Sequence, residues 1–239
     1  MSAITGIHPV REALAAGRPF DRVLVARGLG GPRLQEIINL CRERGVSLRF
    51  ESRQALDRVA GGNKHQGVAA IGAARGYADF TSATKGARMV VALDGIEDPH
   101  NLGAIVRTVN AAGADAVLVP GRRAAGLTEV VERTAAGALA YVPVVRVVNL
   151  SRALDELKKK RFWIYGLDGR GEEAYDQVEY LAPAVLVLGA EGKGLHENVR
   201  KRCDFVVRIP MAGKIASLNV SVAAGVALFE WRRRNPRAK

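Results

Sequence analysis

The chain has 239 residues, 48% of them apolar, enough for a substantial core in one or two domains and too many for a globally disordered chain. It carries 36 basic against 24 acidic side chains, a net charge of +12, which suits either a polyanion partner or a solvated basic surface. Its two cysteines, Cys41 and Cys203, form no C-x-x-C, and its four histidines (His8, His65, His100, His196) show no ligand spacing, so neither a disulfide framework nor a metal site is expected.

Residues 1–74 alternate helix and strand patterns. His8–Ala16 reads as a helix and Arg22–Ala26 as a short apolar strand. In Pro32–Arg44 the residues Leu34, Ile37, Ile38 and Cys41 recur at i, i+3, i+4 and i+7, the stripe of a one-faced helix. Pro32 suits its first turn and Gly45 its end. A strand over Val46–Phe50, a helix capped by Ser52 and running to Val59, and a strand over Gly67–Gly72 complete a small α/β domain. Residues 75–87 lose the periodicity, gain Gly, Ser and Thr, and read as a linker.

From residue 88 the chain is a run of βα units. Strands are predicted near Met89–Leu93, Ala116–Val119, Val144–Val147, Phe162–Tyr165, Ala184–Leu188 and Phe205–Ile209. Helices are predicted at Leu102–Ala112, Thr128–Ala138, Ser151–Lys160, His196–Arg202 and Leu218–Arg233. Nearly all-apolar strands alternating with helices imply a parallel sheet covered on both faces, with ligands beyond the carboxyl ends of the strands. The charge is uneven: residues 1–74 hold 11 basic and 6 acidic side chains, residues 75–231 hold 20 and 18, and the tail 232–239 holds five basic and none acidic. No apolar run approaches the ~20 residues of a membrane helix. No basic stretch leads into an apolar one at the start, so a cytoplasmic protein is expected.

Two nucleotide signatures are absent. Gly28-Leu29-Gly30 continues as Gly31-Pro32-Arg33, which breaks the dinucleotide fingerprint, and Gly189-Ala190-Glu191-Gly192-Lys193-Gly194 has the wrong spacing for a phosphate-binding P-loop. Three other segments place Gly or Pro beside a buried strand. The first, Asp98-Pro99-His100-Asn101-Leu102-Gly103 running to Arg107, follows the strand that ends at Asp94-Gly95. Asn101 suits a helix cap, Gly103 permits a close approach, and Arg107 lies about 240° around the helix from Asn101. The second, Leu188 to Leu195, is a Gly-rich turn whose backbone groups are free for a ligand, with Glu191 its only acid. The third is Ile209-Pro210-Met211 running to Ser217-Leu218-Asn219-Val220-Ser221, where Ser217 or Asn219 suits the cap of a last helix with the face Val220, Ala223, Ala224, Ala227 and Leu228. Taken singly, each segment is equally a helix cap with a surface arginine, a plain strand-to-helix turn, or a strand, loop and core helix.

In order, the three segments resemble the three motifs of the SpoU/TrmH family of RNA 2′-O-ribose methyltransferases, a SPOUT family, and the resemblance spans essentially the whole chain. Gly6-Ile7-His8-Pro9-Val10 and His65-Gln66-Gly67-Val68 are similar to the family's substrate-binding domain, which itself resembles ribosomal protein L30e. The nearest subgroup methylates a guanosine in the peptidyl-transferase P loop of 23S rRNA. The resemblance implies an α/β fold in which an L30e-like domain (1–74) precedes a catalytic domain (88–239) with a mostly parallel sheet, a C-terminal trefoil knot and a basic tail. It implies a homodimer and S-adenosylmethionine as cofactor, held by Leu188, Gly189, Ile209, Met211 and Leu218.

By the same resemblance Arg107 activates the ribose 2′-hydroxyl. It does so either as general base or by pinning a phosphate and stabilising alkoxide charge while water or phosphate takes the proton. Asn101, Glu191, Ser217 and Asn219 would hold it and the ribose. RNA contacts are expected from Arg27, Arg33, Asn63, Lys64 and His65 in two loops of the first domain. Competing targets are a tRNA D-loop guanosine or another 23S rRNA nucleotide. A non-catalytic RNA-binding or ribosome-assembly protein of the same fold is the competing class. No membrane and no metal enter any of these readings.

Overall fold

A computed structural model describes residues 3–15, 17–61, 64–72, 76–190 and 192–236. Among the site residues read from the sequence, Asn63 and Glu191 lie outside these ranges, as do Ala16, Arg237 and Lys239. The chain divides into two compact units, Met1–Gly76 with Gly126–Glu129, and Tyr77–Ala125 with Val130–Lys239.

The first unit contains β1 (Ala3–Thr5), α1 (Ile7–Ala15), β2 (Phe20–Ala26), α2 (Pro32–Glu43), β3 (Ser47–Glu51), α3 (Arg53–Ala60) and β4 (Val68–Gly72). Its sheet runs β1-β4-β2-β3, antiparallel except for the parallel β2–β3 pair. Alternation along β2 divides the core between two faces. Val23 and Val25 pack with Val10, Leu14, Ile37 and Cys41 of α1 and α2, whereas Leu24 and Ala26 pack with Leu56 of α3. Ser52 caps α3 as expected, accepting the Ala55 N–H at 3.3 Å. The three-residue β1 is too short to show a period and went unpredicted.

The second unit contains α4 (Phe80–Thr84), β5 (Met89–Asp94), α5 (Pro99–Ala112), β6 (Ala116–Pro120), α6 (Glu129–Ala135), β7 (Val144–Val147), α7 (Leu150–Lys159), β8 (Trp163–Leu167), β9 (Glu173–Ala174), β10 (Ala184–Gly189), α8 (Glu197–Arg200), β11 (Phe205–Arg208) and α9 (Val220–Arg234). Its seven strands run β7-β6-β5-β10-β8-β11-β9, and every pairing is parallel. β5 and β10 are buried from end to end apart from Gly189, which explains their uninterrupted apolar runs. The carboxyl ends of β5, β8, β10 and β11 therefore share one edge. On one face α7 and α8 bring Leu154, Leu157 and Val199 onto Val90, Val185 and Val187. α9 packs against α5 and β10, with Trp231 fully buried.

Several boundaries differ from the sequence reading. The stretch 75–87, read as linker, carries α4, because Asp79 accepts the Ser82 N–H at 2.8 Å and caps a short helix. Asn101 does not cap α5. Asp98 does, accepting the His100 N–H at 2.9 Å, because Pro99 occupies the first turn and places the cap one residue before it. At α9 the cap is Asn219, which accepts the Ser221 N–H at 2.9 Å, and Ser217 takes no part. The helix expected over Thr128–Ala138 stops at Ala135, where Ala136 and Gly137 adopt positive φ (47° and 86°), and a 3-10 turn follows at Ala138–Ala140. The last turn of α9 is less free than its three arginines suggested. Arg233 and Arg234 both pair with Glu230, whose carboxyl they draw down to about 2.

Candidate active site

The shared strand edge holds a cavity of about 320 Å³. Its floor and walls come from Leu167 at the end of β8, Leu188 and Gly189 at the end of β10, Ile209 and Met211 after β11, and Leu218 before α9. The five residues expected to hold the cofactor all line it, and so does Ser217. Asp168, Arg170, Lys193 and the glycines Gly192 and Gly194 complete the polar side.

The turn after β10 is stapled from both sides. Asp94, ending β5, accepts the His196 N–H at 2.7 Å and faces the His196 ring at 2.9 Å. Asp168, just beyond β8, accepts the adjacent Leu195 N–H at 2.9 Å. Both carboxylates are buried, 6% and 5% exposed. The turn closes so tightly on the strand that a Cβ on Gly189 would sit 2.3 Å from the Gly194 carbonyl carbon. Gly194 adopts φ +66°, and a Cβ there would meet Asp168 Oδ2 at 2.4 Å. Arg170 grips Asp168 with Nε on Oδ1 at 2.9 Å and Nη2 on Oδ2 at 2.8 Å. Those bonds hold the Asp168 carboxyl well below the usual carboxylate range, against a desolvation penalty of opposite sign.

Asn101 and Asn219 meet across α5 and α9, Asn219 Nδ2 donating to Asn101 Oδ1 at 2.9 Å. The bond ties the first turn of α5 to the cap of α9. Gly103 serves helix packing: a Cβ there would meet Thr134 of α6 at 2.6 Å. Arg107 is exposed two turns along α5, outside the cavity lining, with no ion pair to another described residue. In the first unit Arg27, Arg33 and Lys64 are exposed. His65 is not free, because its Nδ1 accepts the Gly67 N–H at 3.0 Å and its Nε2 lies 2.9 Å from Asp57. It shapes the turn before β4, with both ring nitrogens engaged there and at Asp57 of α3. Burial pushes both thiols, Cys41 and Cys203, up to about 12, so neither presents a thiolate. No cluster of three metal-ligating side chains occurs among the described residues, and no helix among them is long and apolar enough to cross a membrane.

Sequence reasoning missed Asp94, Asp168, Arg170 and His196. The available signal was an aspartate at the carboxyl end of an apolar run, in Met89–Asp94 and again one residue after Trp163–Leu167.

Residues 88–229 match the SpoU rRNA methylase family. The chain belongs to that family. Residues 3–78 match the substrate-binding domain of RNA 2′-O ribose methyltransferases. YacO of Bacillus subtilis, assigned to the TrmH family of tRNA/rRNA methyltransferases, is 39% identical over 240 residues, covering 98% of this chain and 96% of its own. Among solved structures, the SpoU methyltransferase AviRb of Streptomyces viridochromogenes with bound AdoMet superposes with a TM-score of 0.61 at 26% identity, over 97% of this chain and 89% of that one. An AdoMet-bound rRNA methyltransferase of Sinorhizobium meliloti gives 0.60 at 26%, over 98% and 88%.

This SpoU protein is therefore an S-adenosylmethionine-dependent RNA methyltransferase. Its cavity suits that cofactor. The volume lies within the ~300–1,000 Å³ of small-molecule sites. Leu167, Leu188, Ile209, Met211 and Leu218 supply apolar surface, while the turn after β10 supplies backbone polar groups.

Proposed function

We propose that this enzyme methylates the ribose 2′-hydroxyl of a guanosine in the peptidyl-transferase P loop of 23S rRNA, acting as a homodimer with a knotted C-terminal region. One observation carries the site assignment: Leu188, Gly189, Ile209, Met211 and Leu218, from the second and third of the three segments, line one cavity beside the Asn101–Asn219 bond.

When bound, S-adenosylmethionine supplies a methyl group activated by its positive sulfur for in-line displacement by a ribose oxygen. The chain's part is to position and to stabilise charge. The residues of the turn after β10 and of Ile209–Leu218 seat the cofactor through backbone groups and apolar contacts. Arg107 is exposed and has no ion pair among the described residues, so its guanidinium is available to a phosphate. A guanidinium scarcely deprotonates in a protein, so Arg107 acts by pinning that phosphate and stabilising the developing alkoxide, and the hydroxyl proton passes to water or phosphate. Asn101 and Asn219 hold α5 and α9 in register around it, with Ser217 at the cavity rim, and motif position gives Glu191 the same holding role.

The first domain supplies RNA contacts through Arg27, Arg33 and Lys64. An apolar row on α9, Val222 and Phe229, is about half exposed, with Met211 and Ile215 also exposed, which supports a second copy covering that side. A tRNA target is the second reading, favoured by the mixed tRNA/rRNA assignment of the B. subtilis relative. Incubation with methyl-labelled S-adenosylmethionine and separate 23S rRNA and tRNA transcripts decides between them. Label in 23S rRNA alone, lost with Arg107→Ala while cofactor affinity stays within a few-fold, is the expected result. Label in tRNA alone would overturn the target, and near-normal turnover by Arg107→Ala would overturn its role.

A further inference from the structure

Among the ionisable side chains that line the cavity in the described residues, Asp168 is the one acid and Arg170 and Lys193 are the cations. Asp168 is spent: its two oxygens take the Arg170 fork, the Arg170 backbone N–H and the Leu195 N–H. Arg170 is not. Nε and Nη2 are bound to Asp168, and Nη2 also reaches the Leu195 carbonyl oxygen at 3.1 Å, but Nη1 keeps both of its hydrogens without a described partner. The guanidinium is half exposed at the cavity wall, while the carboxylate behind it is 2% exposed. Three side-chain bonds fix its plane before any ligand arrives. Lys193, by contrast, is exposed on the Gly-rich turn and its ammonium has no partner among the described residues.

A cofactor that combines a nucleoside, a sulfonium and an amino-acid end carries one anionic group, its α-carboxylate. Burying that group without a donor is costly, and a pre-oriented guanidinium satisfies it with little further loss of side-chain freedom. Resting on the reading that this cavity seats S-adenosylmethionine, we propose that Arg170, pinned by Asp168, holds the cofactor's α-carboxylate through Nη1. Asp168 is then a positioning residue: it touches no ligand, and it aims the donor. Because Leu195 hangs on the same carboxylate, the donor and the turn after β10 are set by one group. A Cβ at position 194 would intrude on that carboxylate, so the glycine there protects the aim of Arg170.

Titration calorimetry of the full chain tests the assignment with two ligands, S-adenosylhomocysteine and its decarboxylated analogue, which keeps the nucleoside, sulfur and amine. Arg170→Gln should weaken S-adenosylhomocysteine about tenfold or more, within the range of a charge-assisted hydrogen bond, and leave the decarboxylated analogue within twofold. Equal losses for both ligands would overturn the proposal and leave Arg170 as a wall of the cavity. Unchanged affinity for S-adenosylhomocysteine with weakened RNA binding would overturn it too, and assign the free nitrogen to an RNA phosphate. A wild-type chain that bound neither ligand would remove the cofactor from this cavity altogether, and this assignment with it. Where Arg170→Gln does not fold, Arg170→Lys keeps a cation beside Asp168 and should show the same selective loss at a few-fold. Equal loss there overturns the proposal as well.

Discussion

The two walls of the cavity are built in opposite ways. The turn after β10 is held by buried carboxylates from the strands on either side, Asp94 of β5 and Asp168 beyond β8, which take the consecutive N–H groups of His196 and Leu195. The stretch after β11 is exposed from Met211 to Ser217, and its residues bond to no other described residue there. One wall is thus anchored by buried bonds, and the other lines the cavity without such bonds among the described residues. A carboxylate buried against backbone N–H groups defines a position at the cost of desolvation.

Substitutions in the first wall should disturb both fold and ligand, and those in the second should act on the ligand alone. The largest effect is expected from Gly189→Ala, whose added carbon would meet backbone that has no other place to go. It should cost about 3 kcal/mol or more and abolish cofactor binding, seen as a lowered melting temperature with no calorimetric signal for S-adenosylhomocysteine. A normally melting variant that still bound ligand would show the stapled wall to be pliable.

Asp168→Asn comes next, and its effect depends on pH. The folded Asp168 carboxyl lies below its unfolded value of about 3.9, so its contribution is present in full above that pH and fades as the pH falls toward the folded value. The difference in melting temperature between wild type and Asp168→Asn should therefore be widest above pH ~4 and narrow below it. A difference independent of pH would mean that the carboxylate's charge is not what holds the turn.

Asn219→Ala removes the cap of α9 and the bond to Asn101, a loss of about 1 kcal/mol in chemical denaturation. A loss under a few tenths would mean that the helix start is held by packing alone. The smallest effect on stability is expected for Met211→Ala in the open wall, within ~0.5 kcal/mol as for other exposed positions. Its S-adenosylhomocysteine affinity should nonetheless fall several-fold. An unchanged affinity would take Met211 out of the cofactor contacts.

The same contrast explains what could be read in advance. Apolar runs such as Val185–Leu188 and the i, i+3, i+4, i+7 stripe of α2 follow from local periodicity, so the longer strands and most helices were legible, whereas the short β1 and β9 were not. Motif order placed Leu188, Gly189, Ile209, Met211 and Leu218 together although up to 30 residues separate them. Caps were less legible where two candidates stood close, as with Asp98 and Asn101, because the decision rests on which backbone N–H is left over once Pro99 has begun the helix. α4 was hidden because a five-residue helix has no period to detect.

By itself the sequence determined the βα order, the family to which the three motifs belong, and the side chains available at the strand ends. Only the tertiary structure decided which of those side chains are neighbours. Asp94 and Asp168 stand 74 positions apart, and parallel pairing of β5, β10 and β8 brings them to bear on two adjacent residues of one turn. The same folding engages both nitrogens of His65, one with Gly67 in its own turn and one with Asp57 of α3, and leaves Nη1 of Arg170 without a partner among the described residues at the cavity. Hydrogen-bond satisfaction is a property of the assembled neighbourhood, which strand register creates and no local pattern encodes.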